Sequence, residues 1–260
     1  MANVIYSSNP LYDTDALAFI SAATITATTQ MMAVNDLVID LKAFGIWNKF
    51  IAIYPIVGGT ANSHKYNLKD PRDLDIAYRL SFTGSVTHAS TGMVSAGGYA
   101  DTKINPASAM TLNDSHISYY SRTNGVNGSI EMGVAGGGSG PYTLIQIKYA
   151  NSFFYGDINQ TGEDGILHSL TGGHFLATRT ASNIKKLVIN GNVALNGTLV
   201  STSLPNRNIY ILASNNNGTA SFKTAKECAF ASIGSGLTVT ESYNFYTAVQ
   251  KYQCYLNRQV

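Results

Sequence analysis

From about residue 64 to residue 230 the chain is written as short apolar or β-branched runs separated by turn residues. The clearest runs are 76–82, 116–122, 143–149, 152–158, 174–178, 186–189, 208–213 and 227–233. Between them stand Thr83-Gly84, Asn124-Gly125, Asn127-Gly128, Gly136-Gly137-Gly138, Asn190-Gly191, Asn196-Gly197 and Asn217-Gly218. Asn-Gly pairs accept the positive φ that tight hairpins require, so the punctuation predicts an all-β sandwich. No helical period intervenes, which argues against a doubly wound α/β fold. Within 143–149, Ile145, Ile147 and Tyr149 point one way and Leu144, Gln146 and Lys148 the other. One face of that strand is expected to be buried and the other partly wet.

Helical patterns flank the β region. Val34, Leu37, Val38, Leu41 and Phe44 recur at helical spacing, and Gly45 supplies a left-handed stop, predicting a helix over 26–44. Its other face carries Asn35, Asp36, Asp40 and Lys42. Trp47, the single tryptophan, reads as a packing anchor behind that helix. At the far end Thr238 and Glu241 form a capping-box pattern, and Phe245, Val249, Tyr252 and Leu256 trace one stripe, predicting a helix over 239–256. Residues 1–24, short, polar and tipped by Tyr6, Tyr12 and Phe19, read as an arm, leaving 25–260 as a single domain.

Composition narrows the partners. Hydrophobic residues make up 45% of the 260, enough for a sizeable core. Charged residues are 12%, about half the roughly 25% of an average domain, and 17 Lys+Arg against 15 Asp+Glu leave a net charge of +2. That balance gives no field to recruit nucleic acid or an anionic membrane. A surface made of Ser, Thr, Asn, Gln and Tyr suits a protein held in a fixed assembly or exposed outside cells. The first residues lack a basic stretch followed by an apolar one, so no secretory leader is expected, and no apolar stretch is uninterrupted enough to span a bilayer. Cys228 and Cys254 read as two unpaired thiols of a reducing cytoplasm, a single bridge being the alternative.

Two segments carry a resemblance. Ile184-Lys185-Lys186-Leu187-Val188-Ile189-Asn190-Gly191-Asn192, followed by Leu204-Pro205-Asn206-Arg207-Asn208-Ile209-Tyr210-Ile211-Leu212-Ala213 and the Asn215-Asn216-Asn217-Gly218 loop, resembles the laminin-G/concanavalin A-like lectin fold. Ala229 through Leu237, the helix at 243–250 and Leu256-Asn257-Arg258-Gln259-Val260 resemble the carboxyl ends of virion proteins of tailed phages. The block from Ile53 to Thr60 and that from Ser63 to Asp73 are similar to the same group, the fibre or tail-associated structural proteins of gut Bacteroidetes phages, including crAss-like phages. The resemblance covers roughly residues 30–260. It implies a concanavalin A-like antiparallel β-sandwich (jelly roll) with an N-terminal and a C-terminal helix. It also implies a non-enzymatic virion structural protein, made in the bacterial cytoplasm and displayed as a head or tail fibre or decoration. Its partners would be other virion proteins, further copies of itself in a trimer, and a host-surface glycan.

Candidate chemistry is sparse. Glycan-hydrolysing relatives of this fold carry two carboxylates on one strand as E-x-D-x-x-E, and no such spacing occurs here. Asp157, Glu163 and Asp164 straddle a glycine-containing turn that reads as a solvated hairpin loop, or as a loop with the oxygen ligands calcium takes; no other cofactor is implied. His168 and His174, across Gly172-Gly173, lack the further ligands a metal needs. The glycine run at 136–138 precedes a strand, not a helix, so it is no phosphate cradle. The remaining candidate is a binding surface, since the chain has 16 tyrosines, which combine a ring with a hydroxyl. In 116–122, His116, Ser118, Tyr120 and Arg122 share one face opposite Ile117 and Tyr119. That face reads as a glycan-contacting groove with His116, Tyr120 and Arg122 as ligand residues, as a subunit contact, or as a half-exposed sheet. Segments 84–115, 123–140 and 214–225 are expected to face outward. Three functions stay open: a purely structural decoration protein, a lectin (virion-borne or secreted), and a capsular polysaccharide depolymerase.

Overall fold

The computed structural model describes residues 12–125, 128–137, 140–148 and 151–260. Residues 1–11 of the expected arm, Asn127, Gly138, Ser139 and Tyr149 lie outside the described residues. The described chain opens with α1 (Thr14–Ala22) and α2 (Thr28–Ala43), then β1 (Phe50–Tyr54) and the single turn α3 (Ala61–His64). Four short strands follow, β2 (Ser81–Thr83), β3 (Val86–Ala89), β4 (Gly92–Ser95) and β5 (Tyr99–Asp101), and a second turn, α4 (Pro106–Ala109). Next come β6 (Ser115–Ser121), β7 (Met132–Ala135), β8 (Tyr142–Gln146), β9 (Phe153–Gln160) and β10 (Gly165–Leu167). The chain continues through β11 (Gly173–Ala181), β12 (Ile184–Ile189), β13 (Asn192–Gly197), β14 (Tyr210–Ile211), β15 (Ser214–Asn216) and β16 (Thr219–Ser221). β17 (Cys228–Gly234) leads into α5 (Val239–Tyr255).

These strands form two sheets. The first runs β13-β12-β11-β6-β17-β4-β3, with β1 also on β17; the second runs β10-β9-β8-β7-β14-β5-β2, with the β15–β16 hairpin on β7. All pairs are antiparallel except β15 with β7. The protein is therefore the expected mainly β antiparallel sandwich with helices toward both ends.

Period-2 alternation divides the first sheet between two cores. Ile117, Tyr119, Phe175, Ala177 and Leu187 face the second sheet, where they meet Met132, Val134, Ile145, Phe154 and Ile158. Tyr120, Leu176, Val188 and Phe230 face the other way, against Val34, Leu37, Val38 and Leu41 of α2 and Phe245, Val249 and Tyr252 of α5. The order of layers is helices, first sheet, second sheet. All seven residues of β6 are buried because both its faces are covered. Each large apolar side chain so buried contributes about 1.5–3 kcal/mol. The expected capping box starts α5: Thr238 Oγ1 accepts from Glu241 N at 3.3 Å and Glu241 Oε2 accepts from Thr238 N at 2.8 Å. Lys251 of α5 reaches Asp40 of α2 at 2.9 Å, tying the two helices at their rim.

Segment 84–115, expected to face outward, instead carries β3, β4 and β5 and buries Met93, Ala100 and Ile104 in the core between the sheets, and two further expectations differ from the structure. Residues 14–22, read as part of an arm, form α1, capped by Asp13 and packed on α2 through Ala16, Phe19 and Ile20. Their 3/4 spacing is helical, but nine residues hold too few apolar positions to show a period. The 76–82 run becomes a strand only at Ser81. Asp75–Ala77 is a single 3₁₀ turn, with Ile76 77% exposed and Tyr78 in a left-handed conformation at φ 60°. Trp47 does pack into the helix-side core, with Lys69 Nζ 3.8 Å above its ring. Cys228, buried, and Cys254, exposed, are free thiols. No described helix is long and apolar enough to cross a membrane.

Candidate functional site

The structure places His116 and Tyr120 on one side of β6, as the alternation requires, and that side is closed. His116 Nδ1 donates to Ser235 O at 2.5 Å, Nε2 accepts from Ser232 Oγ at 3.1 Å, and the ring stands edge-on to Phe50 at 5.2 Å. Burial pulls its pKa down to about 4, so the imidazole is neutral at pH 7. Tyr120 Oη donates to Gln250 Oε1 at 2.9 Å and accepts from Val260 N at 3.0 Å. Arg122 pairs with Glu227 at 2.8 Å and donates through Nε to Arg258 O at 2.8 Å. The face read as a glycan-contacting groove is thus occupied by the chain's own carboxyl-terminal helix and tail. The apolar stripe of α5 needs an apolar sheet face, and this one receives it.

His168 and His174 are not brought together as ligands. His174 lies under Phe245 at 4.9 Å on the helix side, whereas His168 stands edge-on to Phe175, which faces the other core. Neither ring nitrogen of His174 has a partner among the described residues. Among those residues no group of three His, Cys, Asp or Glu is arranged to hold a metal ion. In the acidic segment, Asp157 and Asp164 hold the Lys185 ammonium, and Gln160 Nε2 donates to Asp157 Oδ1 at 2.9 Å. Asp157 is fully buried, so the solvated loop expected there is carried by Glu163, which is exposed. Burial pushes the Asp157 carboxyl up and the Lys185 ammonium down, each partly offset by the other's charge.

The open surface lies on the opposite side of the sandwich, on the outer face of the second sheet. There β7 and β8 turn Ala135, Tyr142, Leu144 and Gln146 away from the core that holds Val134 and Ile145. In β15, Ser214 and Asn216 share that face, while the intervening Asn215 spends its side chain on Asn208 O and Gly218 N, both at 2.8 Å. With Ile130, Gly137, Glu163 and Phe222 these residues line a groove of about 350 Å³. That is within the range of small-ligand sites. The β8 face expected to be partly wet forms part of its wall, but Leu144 and Gln146 on it are buried; residues of the segments expected to face outward at 123–140 and 214–225 supply the other flanks.

Each wall is fixed from behind. Glu131, fully buried, accepts from Ile147 N at 2.6 Å through Oε2 and from Thr224 Oγ1 and Lys226 Nζ at 3.1 and 3.2 Å through Oε1. It fastens the end of β8 to the segment that carries Phe222. Ile130 N donates to Phe222 O at 2.9 Å and Thr224 N to Leu212 O at 3.0 Å. Phe222 is held 55% exposed with φ 52°, a conformation disfavoured for a bulky aromatic side chain. Burial, and then the charges of Glu163 and Asp157, push the Tyr142 phenol up. Ser214, 1% exposed, has no hydrogen-bond partner for its hydroxyl among the described residues. A strained exposed aromatic and an unpartnered buried hydroxyl thus lie along one groove. No sequence motif announces it, because its residues come from five separate stretches; the alternation that puts Leu144 and Gln146 on the face opposite Ile145 was the available signal.

No protein-family model matches the chain, and no curated protein matches it in sequence. Solved structures do. The Trypanosoma rangeli sialidase aligns with TM-score 0.48 at 11% identity over 83% of this chain, which spans 38% of the sialidase. The CBM40 of Ruminococcus gnavus IT-sialidase, bound to α2,3-sialyllactose, aligns with TM-score 0.38 at 13% identity over 49% of this chain and 79% of its own. Domain 4 of AbnA, a GH43 extracellular arabinanase from Geobacillus stearothermophilus, solved in complex with arabinotriose, aligns with TM-score 0.53 at 14% identity over 76% of this chain and 98% of that domain. What the chain shares with the arabinanase domain is the fold, a β-sandwich matched over nearly the whole of that domain.

Proposed function

We propose that the protein is a non-catalytic glycan-binding component of a tailed-phage particle, displayed as a fibre or decoration, whose groove on the open sheet meets a host-surface saccharide. The observation that carries the glycan reading is the groove itself, a recess on the outer face of the second sheet with Tyr142 and Phe222 for ring contacts and Gln146 and Asn216 for hydroxyls. The arabinanase domain of the same fold, solved with arabinotriose, supports it. The particle assignment rests on the sequence resemblance, as do assembly with other virion proteins and a homotrimer. Residues 1–11 are the proposed attachment point, and no bound calcium is needed.

A depolymerase is the second reading, and one observation favours it. Asp157 Oδ2 has no partner among the described residues, and burial together with Glu163 raises its carboxyl, as a general acid requires. Asp157 is nevertheless fully buried, with Oδ1 engaged by Gln160 and Lys185. Glu163 is thus the single carboxylate lining the groove among the described residues, where hydrolysis needs two. Incubation of the purified protein with host capsular polysaccharide, assayed for retention and for new reducing ends, separates the readings. Retention without new ends is the expected result; new ends lost in Asp157→Asn establish the depolymerase, and neither signal leaves a purely structural protein.

A further inference from the structure

The charge inventory of the groove restricts what it can hold. Among the described lining residues there is no cation, and Glu163 is the single carboxylate. The nearby lysines are turned to other tasks: Lys148 Nζ donates to Ser169 O at 3.3 Å and Lys223 Nζ to Gly97 O at 2.7 Å. Lys226 and Lys185, deeper in the sandwich, are buried against Glu131 and against Asp157 with Asp164. The uncharged groups suit hydroxyls instead. Gln146 commits Nε2 to Ser129 O at 3.0 Å, which leaves Oε1 to accept, and the Asn216 amide lines the same groove.

A carboxylated or sulfated sugar entering this groove would shed water from its anion with no guanidinium or ammonium to replace it, and beside a like charge. A sugar that presents hydroxyls alone meets no such cost. We propose that the groove selects uncharged saccharides and excludes anionic ones, with Glu163 as the residue that enforces the exclusion. This rests on the glycan-binding reading above and names the substrate class for the same site.

The test is a glycan array of matched neutral, carboxylated and sulfated oligosaccharides, followed by calorimetric titration of the best neutral ligand and its carboxylated counterpart. Wild type, Glu163→Gln and Glu163→Lys are compared; Glu163 is exposed, so neither change disturbs a core. Expected are binding to neutral members, at least tenfold weaker binding to the carboxylated match, a gap narrowed severalfold by Glu163→Gln, and a further gain for the acidic ligand in Glu163→Lys. Equal or tighter binding of the acidic member by wild type, or a gap unmoved by both variants, overturns the selectivity and leaves glycan binding standing. An array without any bound saccharide overturns the glycan reading itself.

Discussion

The two outer faces of the sandwich are built from the same alternating strands and have opposite fates. On the first sheet, Tyr120, Leu176, Val188 and Phe230 are sealed beneath α2 and α5, and even its polar members, His116 and His174, are buried. On the second, Tyr142, Gln146, Asn216 and Phe222 line an open groove. A strand pattern alone says that a face is not the sandwich interior; whether water or the chain's own helix covers it depends on which sheet takes the apolar stripe of α5. In this molecule one outer face is packed beneath the helices and the other carries a groove.

The largest test of that division is Arg258, 1% exposed on the covered side, which donates to Pro55 O, Ile56 O and Ala229 O and to Gln253 Oε1. Arg258→Ala strands these acceptors and is expected to cost about 3–5 kcal/mol in urea unfolding. Glycan affinity of the folded fraction should not change.

The covered face also contributes to the acid limit. Burial lowers the pKa of His116 to about 4 and of His174 to about 3. The folded state thus keeps both neutral, while the unfolded chain binds protons below pH 6.5. Their contribution is fully present above that value and is lost as pH falls toward the folded pKa, at about 2 kcal/mol for each at pH 5. His174→Leu removes one such group and two unpartnered nitrogens. It is expected to raise stability by about 1–2 kcal/mol at pH 7 and to flatten the decline between pH 6.5 and 4, followed by thermal unfolding across that range.

On the open face stability and binding should move in opposite directions. Phe222→Gly relieves the positive φ and is expected to stabilise by about 1 kcal/mol or less while weakening saccharide binding severalfold. A variant that loses both stability and binding would make Phe222 a packing residue.

The covered face was half legible in the sequence. Residues 116–122 showed which side chains share a face, and the Thr238/Glu241 cap and the Phe245, Val249, Tyr252 stripe showed that α5 must pack on something. Nothing in either segment said that they pack on each other. Helix α1 was hidden by its length, and Ile76-Ala77-Tyr78 looked like a strand because three apolar residues carry no period that separates a strand from a tight turn. The groove was harder to see. Leu144 and Gln146 could be assigned to one strand face from alternation alone, but Ser214, Asn216 and Phe222 reach that face only through the pairing of β15 with β7 and the anchoring of 222–226 by Glu131, and Glu163 only through the turn between β9 and β10. Such nonlocal pairings leave no local pattern.

Titration of the tightest array saccharide into wild type, Tyr142→Ala and Tyr120→Phe tests the division between the faces directly. Loss of tenfold or more in affinity for Tyr142→Ala, with Tyr120→Phe binding as wild type, is the predicted result. Unchanged affinity in Tyr142→Ala together with loss in Tyr120→Phe would place recognition under the helices and contradict the account.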